Sequence, residues 1–413
     1  MSGGTRVLSL PVTAACSFAS TAVIINFAGA TGFAAISVVN TMFMLIQFTD
    51  LGLGSGVINA VSSSILTWRE KHGVVASTFR LLVIVSMVLL VGAASGLVFF
   101  SWSAVLGIAQ SGLANLNAAT FAALALFAMA LPFSVGQRIL TGISRNHVAI
   151  LLSMVTSIVS LLVVVAVYAA KWPAAFMSIS QSAGLLVSAV LSCAVGMKAI
   201  RFRYRYLLQR RLYRATGLMV SGLWMLLLSV CIAFAFQSGR LMLAHRSSDA
   251  QLASYSLIMQ FYLPVISVMS ATGLALWPMF SSKRGHMDSA RNEVMRLTLI
   301  FAGVGAVLSV GFACLIRPVS SLLSGGEIVL SWPLIFVVCL LICAQSAQVV
   351  PGMFLTSSEG LKFQALCGLG AVVVSLSISW VLTPAVGSSG PVIATCASVF
   401  FAQFVPTYLK AVK

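Results

Sequence analysis

Asp50 is the one acidic residue that lies inside an apolar run of this chain. It stands about 16 residues, or roughly 24 Å at helical rise, into a run that opens near residue 34. An ionised carboxylate at that depth of a bilayer costs about 2.5–3.5 kcal/mol. It must face a partner or a wet cavity, or hold a proton. Two readings stand: a proton or cation coupling site or gate ion pair, and a structural carboxylate paired with Arg80 or Arg138 or hydrogen-bonded by neighbouring helices. Asn40 and Gln47, seven apart, share a helix face with each other, Asp50 follows three residues later, and Asn59 lies beyond. Such a polar stripe marks a helix that lines an interior.

The second set of candidates is cationic. Gln137-Arg138 closes the fourth apolar run and Gln237-Ser-Gly-Arg240 closes the seventh. A guanidinium is a planar fork matched to phosphate oxygens, so Arg240, Arg138, Gln137 and Gln237 are candidates for an interior anion contact. The competing reading is that Arg240 snorkels to the membrane surface and that Arg138 serves topology alone. His245 reads as interfacial. Gly52-Leu-Gly54-Ser-Gly56 is no phosphate loop, because no Lys follows and it lies within an apolar run. It suits close helix packing or a hinge.

Other chemistry is missing. The eight cysteines (Cys16, Cys193, Cys231, Cys314, Cys339, Cys343, Cys367, Cys396) sit in apolar runs without a CxxC or a Cys/His cluster. They read as small hydrophobes, with no disulfide framework, no metal site and no cofactor. Neither a hydrolytic or transferase constellation nor an ATP signature is present, so no catalytic residue is assigned and no enzyme is expected. Any transport draws on an ion gradient or on the substrate's own gradient.

These residues must be positioned by membrane helices. Hydrophobic residues make up 60% of the 413 and charged residues 8%, which excludes a soluble globule. The expected fold is all-α integral membrane, with about twelve transmembrane helices, each needing about 20 apolar residues. They fall near 7–28, 34–62, 76–100, 118–140, 148–170, 174–197, 216–240, 252–280, 295–316, 331–355, 363–384 and 389–409. The net charge of +17 would suggest nucleic acid in a soluble chain. Here it reads as topological, and no nucleic-acid partner is expected. Lys198 to Arg214 hold seven Lys/Arg and no acid at the midpoint of the chain. The segment predicts an N-terminal six-helix lobe at 1–197, a basic cytoplasmic linker at 198–215 and a C-terminal six-helix lobe at 216–413.

With both termini cytoplasmic, 20 of the 24 Lys/Arg fall on the inner side, leaving Lys171, Arg240, Arg246 and Arg317 outside. The reverse orientation inverts that ratio. The outer connections are short, GATGF near 29–33 and GSSG at 387–390. A faint repeat aligns Ala34, Ile36 and Ser37 with Ala253, Tyr255 and Ser256, and at the same offset Gly54 with Gly273. Six helices then repeat as six, a parallel pseudo-repeat about an axis along the membrane normal. Pro132, Pro264, Pro351 and Pro406 within the runs allow kinks.

Three segments in register with these runs carry a family resemblance: Phe48-Thr-Asp-Leu-Gly-Leu-Gly-Ser55, Gln137-Arg-Ile-Leu-Thr-Gly-Ile-Ser-Arg145 and Gly387-Ser-Ser-Gly390-Pro-Val-Ile-Ala-Thr395. Together they resemble the polysaccharide transporter, or oligosaccharide-lipid (O-antigen-type) flippase, family of the multidrug/oligosaccharidyl-lipid/polysaccharide exporter superfamily. The resemblance implies two six-helix lobes forming a V around a central cavity. A polyprenyl-diphosphate-linked oligosaccharide would cross there from the cytoplasmic to the outer leaflet by alternating access, for cell-surface polysaccharide biosynthesis. In that family an acidic residue often precedes the basic one ending the seventh span. Ser238 and Gly239 stand there here, so an ion-pair gate does not carry over.

The expected partners are the lipid-linked glycan, membrane lipids and polysaccharide-assembly enzymes, and the expected location is the cell inner (plasma) membrane. The alternatives are an ion-coupled multidrug or small-molecule exporter of the same superfamily and a non-transporting membrane scaffold.

Overall fold

The computed structural model describes residues 2–46, 53–62, 66–208, 219–274, 276, 280, 287–356 and 358–412. Among them every regular element is helical. Hydrocarbon leaves a backbone to satisfy its own hydrogen bonds, and a helix does so within one segment.

The contacts of the chain divide it into two compact units, Met1–Leu226 and Leu227–Lys413. In the first, α1 (Ser2–Ile46) is interrupted at Gly29, whose φ of 70° and ψ of 177° leave the helical region. Only glycine reaches that conformation cheaply. The GATGF connection thus shrinks to one residue, and the backbone is helical again straight after it. The expected second run continues as the latter part of α1 and as α2 (Leu53–Ser62). Gln47 and Asp50 lie outside the described residues.

Thr67 starts α3 (Trp68–Val98) through a capping box. Its backbone N–H donates to the Glu70 carboxylate at 2.8 Å, and the Glu70 N–H donates to Thr67 Oγ1 at 3.4 Å. The far end of α3 lies beneath Trp102 of a short helix, α4 (Trp102–Val105), whose indole N–H donates to the Ala93 carbonyl at 2.9 Å. Next come α5 (Leu116–Phe133) and α6 (Val135–Gly142), one span interrupted at Ser134, two residues past Pro132. The unit continues with α7 (Asn146–Ala169) and α8 (Ile179–Ala199). Beyond α8, Phe202 and Tyr206 are buried in the same core as Val75 and Ile139. The opening part of the basic segment is therefore packed against this unit.

The second unit takes in most of α9 (Met219–Arg246), then α10 (Asp249–Leu274), α11 (Met287–Ser324), α12 (Trp332–Phe354) and α13 (Ser358–Val386). A turn at Gly387 leads to α14 (Ser389–Ala397), a π-helical stretch Ser398–Phe404 and α15 (Val405–Val412).

Ten helices among the described residues are long and apolar enough to cross a bilayer. Twelve runs were expected, and two facts account for the difference. Ser9–Phe43 counts once although Gly29 divides it, and α9, 28 residues long, is not among the ten. On α3 the side chains of Ile84, Met87, Val88 and Val91 recur at helical spacing and are 59–72% exposed. A stripe of that kind is stable against acyl chains and adhesive in water. The chain is a multi-pass membrane protein.

Apolar helices gain little from hiding from lipid, so close backbone approach and hydroxyl bridges hold such bundles. Both occur here. Ser86 donates to the Ala128 carbonyl at 2.6 Å, Ser188 to Leu152 at 2.9 Å and Ser309 to Cys339 at 2.9 Å. Gly136 of α6 lies so near α8 that a Cβ would overlap the backbone of Ser192 and Cys193, and Gly196 returns the approach against the Gly136 carbonyl. All eight cysteines are free.

Candidate functional site

The two sequence-predicted Gln/Arg pairs lie in different units: the first follows a break in its span, and the second sits within the unbroken helix α9. In the first unit, Pro132 removes a backbone donor and the span breaks at Ser134, whose Oγ donates back to the Leu131 carbonyl at 2.7 Å. The next turn carries Gln137, half-buried, and Arg138, exposed. Gly136 fixes that turn against α8. A cavity of about 200 Å³ opens between α5, α6 and α8, with Phe127, Leu131 and Leu185 in its wall and Ser134, Gln137 and Arg138 at its polar edge. Apolar walls with a cationic edge suit an amphiphile carrying an anion.

Asn40 belongs near this wall. It is half-buried on α1, and its Oδ1 is buried without a hydrogen-bond partner among the described residues. Phe43, one turn later, stacks on Phe127 with ring centroids 5.6 Å apart. The remaining members of the expected stripe, Gln47 and Asp50, fall outside the described residues.

In the second unit Arg240 is half-buried and donates from Nη1 to Gln237 Oε1 at 2.9 Å. Gln237 itself is 8% exposed. Around this pair, α9 meets α10 and α14. Thr395 Oγ1 donates to the Ala235 carbonyl at 3.3 Å, and Tyr262 stacks on Phe236 with centroids 6.2 Å apart. Gly387-to-Thr395, one of the three family-like segments, therefore sits beside the residues of α9 that hold Arg240.

Two tyrosines of α10, Tyr255 and Tyr262, are almost fully buried here. The Tyr262 hydroxyl has no hydrogen-bond partner among the described residues. Sequence reading used Tyr255 only as a marker of the repeat and passed over Tyr262. A tyrosine in an apolar run looks like core, and the only available signal was two phenols seven residues apart on one face.

Of the two residues before Arg240, Gly239 has no room for a side chain. A Cβ on Gly239 would collide with the Tyr255 hydroxyl and stand 3.0 Å from Pro391 Cβ. Tyr255 is 2% exposed and cannot swing aside. Gly239→Ala is expected to destabilise the protein by about 1–3 kcal/mol through overpacking. Adding Tyr255→Phe should recover part of the loss. Thermal melts of the two single variants and the double variant check this, and strictly additive losses would mean the side chains do not compete for that space.

The segment Gln137-to-Arg145 carries structure as well as chemistry. Thr141 Oγ1 donates to the Gln137 carbonyl at 3.0 Å, Gly142 approaches the Ile58 carbonyl of α2, and Ser144 takes a φ of 62°. In the second unit Arg246 lies 3.7 Å from the Trp380 ring centroid and Arg317 lies 4.8 Å from that of Trp332, both cation–aromatic pairs. Among the described residues no group of three or more His, Cys, Asp or Glu could hold a metal ion.

Comparison with known proteins follows from this geometry. Residues 7–284 match the profile of a family described as "Polysaccharide biosynthesis protein". No curated protein sequence matches the chain. Among solved structures it is similar to the lipid II flippase MurJ in an inward closed conformation, with a TM-score of 0.73, 11% identity, and 99% of this chain and 89% of that one covered. An inward-facing multidrug resistance transporter of the MATE family, in the MOP superfamily, gives a TM-score of 0.67 at 14% identity, covering 98% of each chain. The Vibrio cholerae MATE transporter VcmN in its bent form gives 0.56 at 15% identity, covering 100% of this chain and 98% of that one. At such identities the likeness establishes the fold, that of two-lobe membrane transporters.

Proposed function

The chain belongs to the polysaccharide biosynthesis protein family, and on that footing we propose that it moves a polyprenyl-diphosphate-linked oligosaccharide from the cytoplasmic to the outer leaflet of the inner membrane. Family and fold are those of a membrane flippase or transporter rather than of an enzyme. The observation that carries the finer reading is that each helical unit holds a Gln/Arg pair, one at the edge of a cavity with apolar walls and one joined by a hydrogen bond within α9. A diphosphate cannot enter hydrocarbon unaided, while its polyprenyl tail needs no shelter. A cation beside an apolar wall, as at Arg138, meets both needs.

In this reading Arg138 and Arg240 contact the diphosphate or acidic sugars during the crossing. Gln137, Gln237, Asn40 and Gln47 hydrogen-bond the glycan, and Asp50 sets coupling or the gate. The lobes are 1–197 and 216–413, joined by the basic linker 198–215, with both termini cytoplasmic. Polysaccharide-assembly enzymes are the expected neighbours.

Clean deletion of the gene is expected to accumulate a full-length lipid-linked oligosaccharide on the inner leaflet, read by extracting prenyl-diphosphate lipids and analysing their glycans. Normal surface glycans with no accumulated intermediate would contradict the assignment. The MATE-like fold supports a second reading, an ion-coupled exporter of small molecules. That reading predicts drug sensitivity in the deletion strain with glycans unchanged.

A further inference from the structure

A second cavity lies at the end of the first unit where α3 begins. It measures about 60 Å³ and is lined by Val61, Trp68, Lys71, His72, Ile143 and Ile200, with Ala199 beside them. The function proposed above makes no use of it. Its floor is aliphatic and its rim is an indole and an ammonium group. We propose that it seats the phosphate of an anionic phospholipid and so ties the protein's stability to the anionic lipid content of its membrane.

Four observations carry this. Lys71 Nζ donates to the Val61 carbonyl, the last turn of α2, at 3.2 Å and lies 5.4 Å from the Trp68 ring centroid. An ammonium has three N–H donors, so the side chain is held in place at the cavity rim with donors left for a ligand. His72, 6% exposed, is fixed by a 3.2 Å contact from Nε2 to the Ile200 carbonyl and by ring contacts at 5.4 Å to Phe202 and 5.5 Å to Tyr206. The wall is therefore rigid and unites residues more than a hundred positions apart in sequence.

Charge is the third observation. Arg69, Arg145, Lys198, Arg201, Arg203 and Arg205 are all exposed and lie within a few residues of the cavity-lining positions. Glu70, the acid in the same helix turn, is committed to Thr67 through both the backbone N–H and the hydroxyl, each at 2.8 Å. Glu70 keeps its negative charge, and the six exposed cations together with Lys71 outweigh it, so the net field at the cavity is positive. Fourth, Trp68 is 65% exposed at the end of a membrane helix, where amphipathic rings sit at headgroup level. Basic pockets between membrane helices at this level bind anionic headgroups. The volume accepts a phosphate group and no sugar chain, which separates this seat from the cavity at Arg138.

The test uses the full-length protein purified in detergent and titrated with phosphatidylglycerol, with phosphatidylcholine, or with inorganic phosphate alone, following the thermal midpoint. Phosphatidylglycerol should raise the midpoint by several degrees more than phosphatidylcholine, and inorganic phosphate should do little. Lys71→Gln should weaken the phosphatidylglycerol-specific response about fivefold, Lys71→Arg should keep it, and Arg145→Gln, at a residue that adds to the field without lining the cavity, should lose clearly less than Lys71→Gln. Should Lys71→Gln not fold, Trp68→Ala read by the number of phosphatidylglycerol molecules retained in native mass spectrometry replaces it, with one fewer expected. The seat is overturned by an unaltered response in Lys71→Gln, or by an equal loss in Arg145→Gln, which would mean a diffuse field. A full response to inorganic phosphate would overturn the lipid assignment.

Discussion

Replacing Arg138 and Arg240 together by Gln is expected to slow translocation at least about a hundredfold, and each single change about tenfold. A hydrogen bond to a charged group contributes about 1.5–3 kcal/mol, and about 1.4 kcal/mol is a factor of ten in rate. The two positions are in different units, so the losses should add unless one cation takes over for the other. Lysine in place of either arginine keeps the charge and loses the planar fork, and should fall between wild type and Gln. For Arg240 the orientation depends on Gln237 Oε1 at 2.9 Å. Gln237→Ala should therefore reduce transport with the charge intact. Surface polysaccharide at matched expression is the readout, and full output from the double variant would remove both residues from the substrate path.

The second large effect is structural. Gly136→Leu is expected to abolish the folded protein, and Gly136→Ala to cost about 1–3 kcal/mol. The atoms that a Cβ would strike are the backbone N and Cα of Cys193 and the carbonyl carbon of Ser192. No rotamer change relieves that collision. To fit the side chain, α6 must part from α8, which displaces Gln137 and Arg138 and opens the core around Ile139 and Met197. Size-exclusion profiles and thermal melts decide the matter. A monodisperse Gly136→Leu protein with an unshifted midpoint would show that the helices are not held at this distance.

Much of the architecture was legible from composition. Apolar runs of the right length appear as helices at nearly every expected place, because lipid imposes one solution on a backbone. The unread details are those that depend on one residue or on distant partners. GATGF marked a connection near 29–33, but not that it would shrink to a single positive φ at Gly29. Pro132 announced a kink, and the break falls two residues later at Ser134, whose Oγ donates to the Leu131 carbonyl. Ser238 and Gly239 were noticed where an acid was expected, while the group that crowds position 239, the buried Tyr255 hydroxyl, resides on another helix. The basic midpoint was read as a cytoplasmic linker. Its first residues also bury Phe202 and Tyr206 against His72, a contact that sequence spacing does not reveal.

The candidate site shows the same division. Gln137, Arg138, Gln237 and Arg240 were found from residue type and position at helix ends, and the structure puts one pair at a cavity edge and the other in a polar cluster. Asn40 carries a buried Oδ1 that has no hydrogen-bond partner among the described residues. Apolar sequence hides the supporting residues, Phe127 and Tyr255 among them, because core and site draw on the same alphabet.

Proteoliposomes carrying the purified protein and a fluorescent polyprenyl-diphosphate oligosaccharide in one leaflet put the central claim to its most direct trial. Exposure of the labelled headgroup on the opposite face, followed by a quencher that cannot cross, should rise with wild-type protein and stay near the empty-vesicle level with the Arg138→Gln, Arg240→Gln double variant. Wild-type vesicles that leave the labelled lipid where it was, yet expel a cationic dye against an ion gradient, would contradict it.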